Sequence, residues 1–167
     1  MVLSERLYHV NEKDEVLGSV SRAEAHSKGL LHRSGMVFVV NSRRLVLINE
    51  RSSEKTTFPA CYDSSASFHV TYGESYEESA KRELLEEIRI EAPVRYLGKF
   101  IHKDLPEYQI VSVFLCTSDV TPVVDPQEFS RHHFYSIPQM ERLMKNAKIT
   151  PWLRDGWKVF ITHFTRS

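Results

Sequence analysis

Apolar and polar residues follow one another along this chain in patterns that predict short strands and helices in mixed order. Within residues 6–20, an apolar stretch at 7–10 and another at 16–20 flank a polar turn, which predicts a β-hairpin. Ser21 then suits the cap of a short helix, and Gly29 suits its end. The chain is therefore expected to begin with a hairpin followed by a short helix.

Later apolar runs have the length of strands and are separated by polar or proline-containing segments. They predict strands at 36–40, 45–48, 94–101, 108–116 and 133–137. The mixed segments 51–68 and 117–130 are predicted to be loops. The strand pattern thus predicts a sheet built from sequence-distant segments.

Helices are predicted between Ser75 and Arg89, over 138–145, and after Thr150. Thr150 is expected to cap the last helix, with Pro151 at its first position, where the missing N–H is not needed. Strands interrupted by one long and several short helices indicate an α/β fold with a mixed sheet covered on both faces. We expect one domain over residues 1–167.

The longest predicted helix has a marked start and one apolar face. Ser75 and Glu78 have the spacing of a capping box. At about 100° per residue, Ala80, Leu84 and Ile88 fall on one face, which we expect to pack on the core.

A neighbouring edge of the same helix carries acidic side chains. Glu83, Glu86 and Glu87 fall within one arc, and Arg82 is placed to pair with Glu86. One cation does not neutralise three anions, whereas a divalent metal ion would. A solvated acidic surface is the alternative interpretation of such a run.

The spacing around these carboxylates resembles the Nudix box, G-x5-E-x7-R-E-U-x-E-E-x-G-U with U aliphatic. From Glu74 to Ile90, seven of its nine fixed positions match, and Phe68 and Arg89 stand at the two glycines. The resemblance implies an α/β/α sandwich in which Glu83, Glu86 and Glu87 hold Mg²⁺ or Mn²⁺ and a diphosphate linkage is hydrolysed.

The same resemblance suggests roles for neighbouring residues. Arg82 would orient Glu86 beside the metal. Glu74 has two open roles, anchoring the loop before the helix or approaching the metal, and Glu107 is a further candidate ligand. Arg89 is expected to adopt a left-handed conformation at the helix end, at a cost of about 1 kcal/mol. Phe68 is expected to reshape or narrow the diphosphate pocket.

Features outside the box resemble the isopentenyl-diphosphate isomerase-like branch of the Nudix family. They are the pair His26 and His32, the segments Phe58-Pro59-x-x-Tyr62-Asp63-Ser64, Phe68-His69-Val70 and Thr150-Pro151-Trp152, and Trp157. Isomerases of this branch use a cysteine where this chain has Ser67. They bind a metal through histidines and two glutamates, where this chain has His26, His32, His69, Glu107 and Gln109. These departures favour hydrolysis over isomerisation.

Four residues are candidates for substrate contact: His69, Ser67, Phe68 and Trp157. For Trp157, packing in the core is the alternative, and for His26 and His32 a structural role competes with a second metal site. Three functions remain open at this stage. They are diphosphate hydrolysis, isomerisation of isopentenyl diphosphate, and ligand binding without turnover on a Nudix scaffold.

Composition narrows the classes of partner. The 167 residues have a formal net charge of zero, so no basic field favours nucleic acid. The apolar runs are too short to span a bilayer, and no signal segment is recognisable. Two cysteines, Cys61 and Cys116, suit free thiols in a reducing compartment. We expect a cytoplasmic monomer or homodimer that acts on a small-molecule diphosphate.

Overall fold

The computed structural model describes residues 5–164, which form one mixed sheet with helices on both faces. The strands are β1 (Arg6–Val10), β2 (Val16–Ser21), β3 (His32–Val40), β4 (Val46–Arg51), β5 (Tyr62–Asp63), β6 (Ala66–His69), β7 (Arg95–Asp104), β8 (Glu107–Thr117) and β9 (Phe129–Tyr135). The helices are α1 (Arg22–Lys28), α2 (Tyr76–Ile88), α3 (Ile137–Asn146) and α4 (Leu153–Phe164).

Strand β3 is the centre of the sheet. It pairs with β1, β4 and β6 in the antiparallel sense and with β8 in the parallel sense. The hairpin partner β2 lies outside β1, β7 lies outside β8, and β9 pairs with β4. The predicted hairpin and mixed sheet are both confirmed.

Alternation along β3 divides the apolar core between the two faces of the sheet. Met36 and Phe38 pack on one face with residues of α3 and α4. Val37 and Val39 pack on the other face with Leu84 and its neighbours in α2. Each face has its own helices because successive strand residues point in opposite directions. This arrangement confirms the predicted α/β/α sandwich.

Helix α2 begins and ends where the sequence predicts. The Ser75 hydroxyl accepts from the Glu78 N–H, and the Glu78 carboxylate accepts from the Ser75 N–H, which completes the capping box. Arg89 ends the helix at φ 58° and ψ 36°, in the left-handed region. Its N–H donates to the Leu85 carbonyl at 3.2 Å. The expected left-handed conformation of Arg89 is confirmed.

Three local predictions are wrong. Segment 51–68 is not one loop, since β5 and β6 lie within it. Strand β9 begins four residues earlier than predicted, because its exposed polar residues pair with β4 along its whole length. The buried Thr150 hydroxyl has no hydrogen-bond partner among the described residues, so it does not cap α4, which begins only at Leu153.

Between residues 5 and 164, no helix combines the length and the apolar character needed to cross a membrane.

Candidate active site

A cleft of about 430 Å³ brings together residues of α2, β6 and β8. The sequence-predicted residues that line it are Glu83, Glu86, Glu87, Ser67, Phe68, His69, Glu107 and Gln109. The predicted residues that do not line it are Glu74, Arg82, His26, His32 and Trp157. The acidic edge of α2 and the β6 residues thus share one cavity, although they come from different elements.

Arg82 holds the acidic residues of the box in place. Its Nε donates to both carboxylate oxygens of Glu74, at 3.1 and 3.0 Å. Its Nη1 donates to Glu83 at 2.8 Å and to Glu86 at 3.2 Å, and its Nη2 donates to the Thr71 hydroxyl at 3.1 Å. Arg82 engages both oxygens of Glu74 and lowers its pKa, and Glu74 does not line the cleft. This arrangement suits the first of the two roles considered for Glu74, anchoring the loop that enters α2.

Glu87 is a half-buried carboxylate of the cleft. Its Oε2 is buried and has no hydrogen-bond partner among the described residues. Burial raises the pKa of Glu87 well above its usual range, and the adjacent Glu83 carboxylate raises it further. Burial also raises the pKa of Glu83, although Arg82 opposes that shift. A pair of close, buried carboxylates is unfavourable unless a proton or another cation lies between them.

Glu83, Glu86 and Glu87 are the candidate ligands of a divalent metal ion in this cleft. Across residues 5–164, no three His, Cys, Asp or Glu side chains are already arranged to hold one. The reason is local, since Glu83 and Glu86 are turned towards Arg82. The partnerless oxygen of Glu87 fits such an ion, because a buried carboxylate oxygen is costly unless a proton or another cation neutralises it. A hard oxygen donor set of this kind suits Mg²⁺ or Mn²⁺.

Asp63 is a cleft residue that sequence reasoning missed. Its Oδ1 accepts from the Ser67 hydroxyl at 3.1 Å and from the Trp152 Nε1–H at 3.0 Å. Burial raises the pKa of Asp63, while the Ser64 N–H and the cation of Arg51 oppose that shift. The only signal in the sequence was its place in the segment 58–64, which carries no information on what the side chain contacts.

Cationic side chains also reach the cleft and were not predicted. They are Arg22, Arg51 and Lys55. Lys55 pairs with Glu128, another lining residue, and the Arg51 Nη1 lies 4.0 Å from Asp63. Arg51 and Lys55 belong to the segment that was predicted to be a loop of mixed polarity, so their convergence on the cleft depends on the tertiary fold.

Of the three histidines that were candidates for metal or substrate contact, only His69 lines the cleft. The His32 Nδ1 lies 2.8 Å from the Leu30 carbonyl oxygen, and the His32 and His69 ring centroids are 5.2 Å apart. Burial, together with His32, lowers the pKa of His69 to about 3. The His26 Nδ1 lies 3.3 Å from Glu107, whose other oxygen accepts from the Gln109 Nε2 at 2.6 Å. Glu107 is therefore satisfied by neighbouring side chains.

A family model described as NUDIX domain matches residues 30–155, which include the whole cleft-forming part of β3, β6, α2 and β8. The chain belongs to the Nudix family.

Individual Nudix relatives carry two kinds of name. A protein of Photorhabdus laumondii named isopentenyl-diphosphate Delta-isomerase 2 is 30% identical over 91% of this chain and 90% of its own length. An uncharacterized Nudix hydrolase of Pseudomonas aeruginosa is 31% identical over 92% of this chain and 89% of its own length. A crystal structure of a Deinococcus radiodurans protein matches with a TM-score of 0.80 and 28% identity, covering 95% of this chain and 99% of that one.

The first glycine of the Nudix box is replaced without loss of the local fold. Phe68 is buried and lies directly opposite Gly35 in the β3–β6 pair. A Cβ on Gly35 would lie 2.5 Å from the Phe68 Cζ, so the ring fills the space above that glycine. The absence of a side chain at Gly35 thus leaves room for the Phe68 ring.

Trp157 does not line the cleft, and its position agrees with the alternative of core packing. Trp157 is buried in the core, with its ring centroid 5.9 Å from that of Phe38 and 5.1 Å from that of Phe160. Its position in the middle of α4 directs it to the sheet. Trp152, in the turn before α4, is the tryptophan that lines the Nudix cleft.

Proposed function

We propose that this Nudix protein is a metal-dependent hydrolase of a diphosphate linkage in a nucleoside diphosphate derivative or a related small molecule. The observation that supports this most strongly is the buried, partnerless oxygen of Glu87 beside Glu83. A divalent cation bound between the Glu83 and Glu87 carboxylates would neutralise their charges and offset the cost of holding them close together.

Diphosphate hydrolysis develops negative charge on the phosphate oxygens while water attacks in line. A bound Mg²⁺ or Mn²⁺ ion would neutralise that charge and lower the pKa of a water molecule bound to it. Glu83, Glu86 and Glu87 are the residues that would hold it. Arg82 orients Glu83 and Glu86 from behind, and Glu74 fixes Arg82 in turn.

Cationic residues suit the substrate's own charge. Arg22, Arg51 and Lys55 line the cleft together with the carboxylates, so a diphosphate can contact them and the metal together. Ser67, Phe68 and His69 line the same cavity and are proposed to contact the remainder of the substrate.

Isomerisation of isopentenyl diphosphate is the second candidate, because several similar proteins carry that name. Proton transfer at carbon requires an acid–base group, and the branch's cysteine is replaced by Ser67. The Ser67 hydroxyl lies 2.9 Å from the Ser64 hydroxyl and donates to Asp63. A serine hydroxyl titrates far from neutrality, so this site favours hydrolysis.

The test is a panel of nucleoside diphosphates, sugar nucleotides and prenyl diphosphates, each incubated with Mg²⁺ or Mn²⁺ while phosphate release is measured. We expect metal-dependent release that Glu87→Gln reduces. Glu77→Gln is a matched control, because Glu77 is exposed on the same helix and pairs with Lys81. Absence of release from every compound, with either metal, would reject the proposed hydrolase.

A further inference from the structure

The β1–β2 hairpin lies outside the part of the chain that matches the family model, because the NUDIX domain match begins after α1. Its first strand nevertheless contacts the loop that enters α2, and we call residues 71–75 of that loop the entry segment. The Tyr72 N–H donates to the Arg6 carbonyl at 2.8 Å, and Thr71 forms an isolated antiparallel bridge with Leu7. The hairpin is therefore joined to the approach to the acidic helix.

Two tyrosine hydroxyls add to the contact between the hairpin and the start of α2. The Tyr8 hydroxyl accepts from the Gly73 N–H at 3.0 Å. The Tyr76 hydroxyl, on the first residue of α2, donates to the Asp14 carboxylate in the hairpin turn, whose oxygens lie 3.1 and 3.0 Å away. The guanidinium carbon of Arg33 lies 4.7 Å from the centre of the Tyr8 ring and 5.2 Å from that of the Tyr76 ring. Both rings thus pack on one cation, which fixes the positions of their hydroxyls.

The entry segment in turn holds Arg82. Glu74 accepts from the Nε and Nη2 of Arg82, and the Thr71 hydroxyl accepts from the same Nη2. The remaining nitrogen, Nη1, donates to Glu83 and Glu86. A guanidinium group is planar and its donors form a fixed fork, so a displacement of the entry segment also turns Nη1. The position of the entry segment therefore affects how two carboxylates of the acidic edge are held.

We propose that the hairpin supports the acidic edge of α2, and that Tyr8 and Tyr76 are positioning residues for Glu83 and Glu86. Tyr8 and Tyr76 lie outside the described lining of the cleft. They act through the entry segment and Arg82, and so they determine the orientation of two candidate metal ligands without touching a metal ion or a substrate. The inference rests on the proposed function only where metal binding is measured.

Removal of one hydroxyl tests each contact while the aromatic ring stays beside Arg33. Tyr8→Phe deletes the hydrogen bond to the entry segment, and Tyr76→Phe deletes the bond to the hairpin turn. Tyr108→Phe is the matched control. The Tyr108 hydroxyl also donates to a carboxylate of the hairpin turn, that of Glu12, but Tyr108 lies on β8 instead of at the start of α2. Thermal unfolding of each variant establishes that it is folded.

The first measurement is made without metal and reports on Arg82 directly. The Arg82 Nε–H donates to the two oxygens of Glu74 at 3.1 and 3.0 Å, and its exchange with water is followed by NMR of 15N-labelled protein. We expect this exchange to become about threefold to tenfold faster in Tyr8→Phe and in Tyr76→Phe, because each variant lacks a hydrogen bond that holds the entry segment or the helix start. Tyr108→Phe should leave the exchange rate unchanged.

The second measurement is the Kd of Mn²⁺, taken from the electron paramagnetic resonance signal of the free ion. Removal of a group that orients a metal ligand lowers metal affinity by about tenfold to a hundredfold. Tyr8 and Tyr76 act from farther away, so their substitution by phenylalanine should weaken Mn²⁺ binding by about threefold to tenfold. Phe160→Leu should lower the Tm by perturbing the core on the opposite face of the sheet from α2, and it should change neither the Arg82 exchange rate nor the Kd.

Unchanged exchange of the Arg82 Nε–H in both Tyr8→Phe and Tyr76→Phe would overturn the inference. So would equal changes in Phe160→Leu, because a general loss of stability would then be the cause. Faster exchange with an unchanged Kd of Mn²⁺ would also overturn it and would leave the proposed hydrolase standing. An unsubstituted protein that binds no Mn²⁺ would reject the proposed metal site, whereas faster exchange in the two variants would still support the hold of the hairpin on Arg82.

Discussion

Replacing Glu87 with glutamine should lower activity and raise the stability of the metal-free protein. The substitution keeps the shape of the side chain but removes the charge whose Oε2 has no partner beside Glu83. Loss of one preorganised charge-stabilising group costs roughly tenfold to a thousandfold in rate. Removing an uncompensated buried charge should stabilise the metal-free fold by about 1 kcal/mol.

Both effects are measurable on the same preparations. For a chain of this size, that gain corresponds to a rise in Tm of about 2–4 °C without metal. Added Mg²⁺ should raise the Tm of the unsubstituted protein by mass action and raise that of Glu87→Gln less. Glu86→Gln should lower the rate over the same range. Its carboxylate is largely exposed, so we expect little change in the Tm of metal-free protein.

The control Glu77→Gln should change neither rate nor metal response. Unchanged hydrolysis in both Glu86→Gln and Glu87→Gln would refute the assignment of α2 as the metal site. A lower Tm for metal-free Glu87→Gln would refute the stability argument, since the carboxylate would then support the fold.

Three further predictions concern the end of helix α2, the isomerisation reaction and the turn of the β1–β2 hairpin. Arg89→Gly should raise the free energy of unfolding by up to about 1 kcal/mol, because glycine adopts φ 58° without strain. A loss of stability in denaturant titration would contradict this. Isopentenyl diphosphate in deuterated water with Mg²⁺ should yield no deuterated dimethylallyl diphosphate, with or without Ser67→Cys, and its appearance above a no-enzyme control would show isomerase activity. Asp14→Asn should cost about 1–3 kcal/mol at neutral pH, because the half-buried carboxylate accepts from Arg33 and Lys99. Asp104→Asn at an exposed position should cost little. Burial opposes ionisation of Asp14, but the cations of Lys99 and Arg33 outweigh it and lower the pKa of Asp14. The stabilisation that Asp14 contributes is therefore fully present above its pKa in the unfolded chain and is lost as pH falls through its pKa in the folded protein. A difference in unfolding free energy between Asp14→Asn and the unsubstituted protein that does not change with pH would contradict this.

Local signals explain why helix α2 was predictable. Its capping box joins residues three apart, its core face repeats along one helix, and its end is marked by Arg89 at the position of a box glycine. Each of these features is contained in adjacent sequence. The same is true of the hairpin, whose two strands are joined by a short turn.

Features that depend on distant partners were not predictable. Strand β6 has only four residues and pairs with β3, which lies well before it in the sequence and is separated from it by β4 and β5. Trp152 faces the cleft because its indole donates to Asp63, 89 positions away in the sequence. Sequence alone shows two tryptophans near the C-terminus but not which of them makes that contact.

Because Phe68 packs over Gly35, the side chain tolerated at either position depends on the residue at the other. A methyl group at Gly35 is excluded while the phenyl ring is present, and glycine at 68 would leave an empty space where the ring now lies. Substitutions of Gly35 and Phe68 are therefore tolerated in only one order. Phe68 must first be replaced by a smaller residue before Gly35 can be replaced by a larger one. A chain with glycine at both positions would leave a cavity in the β3–β6 pair, so introducing the box glycine at 68 alone would lower stability.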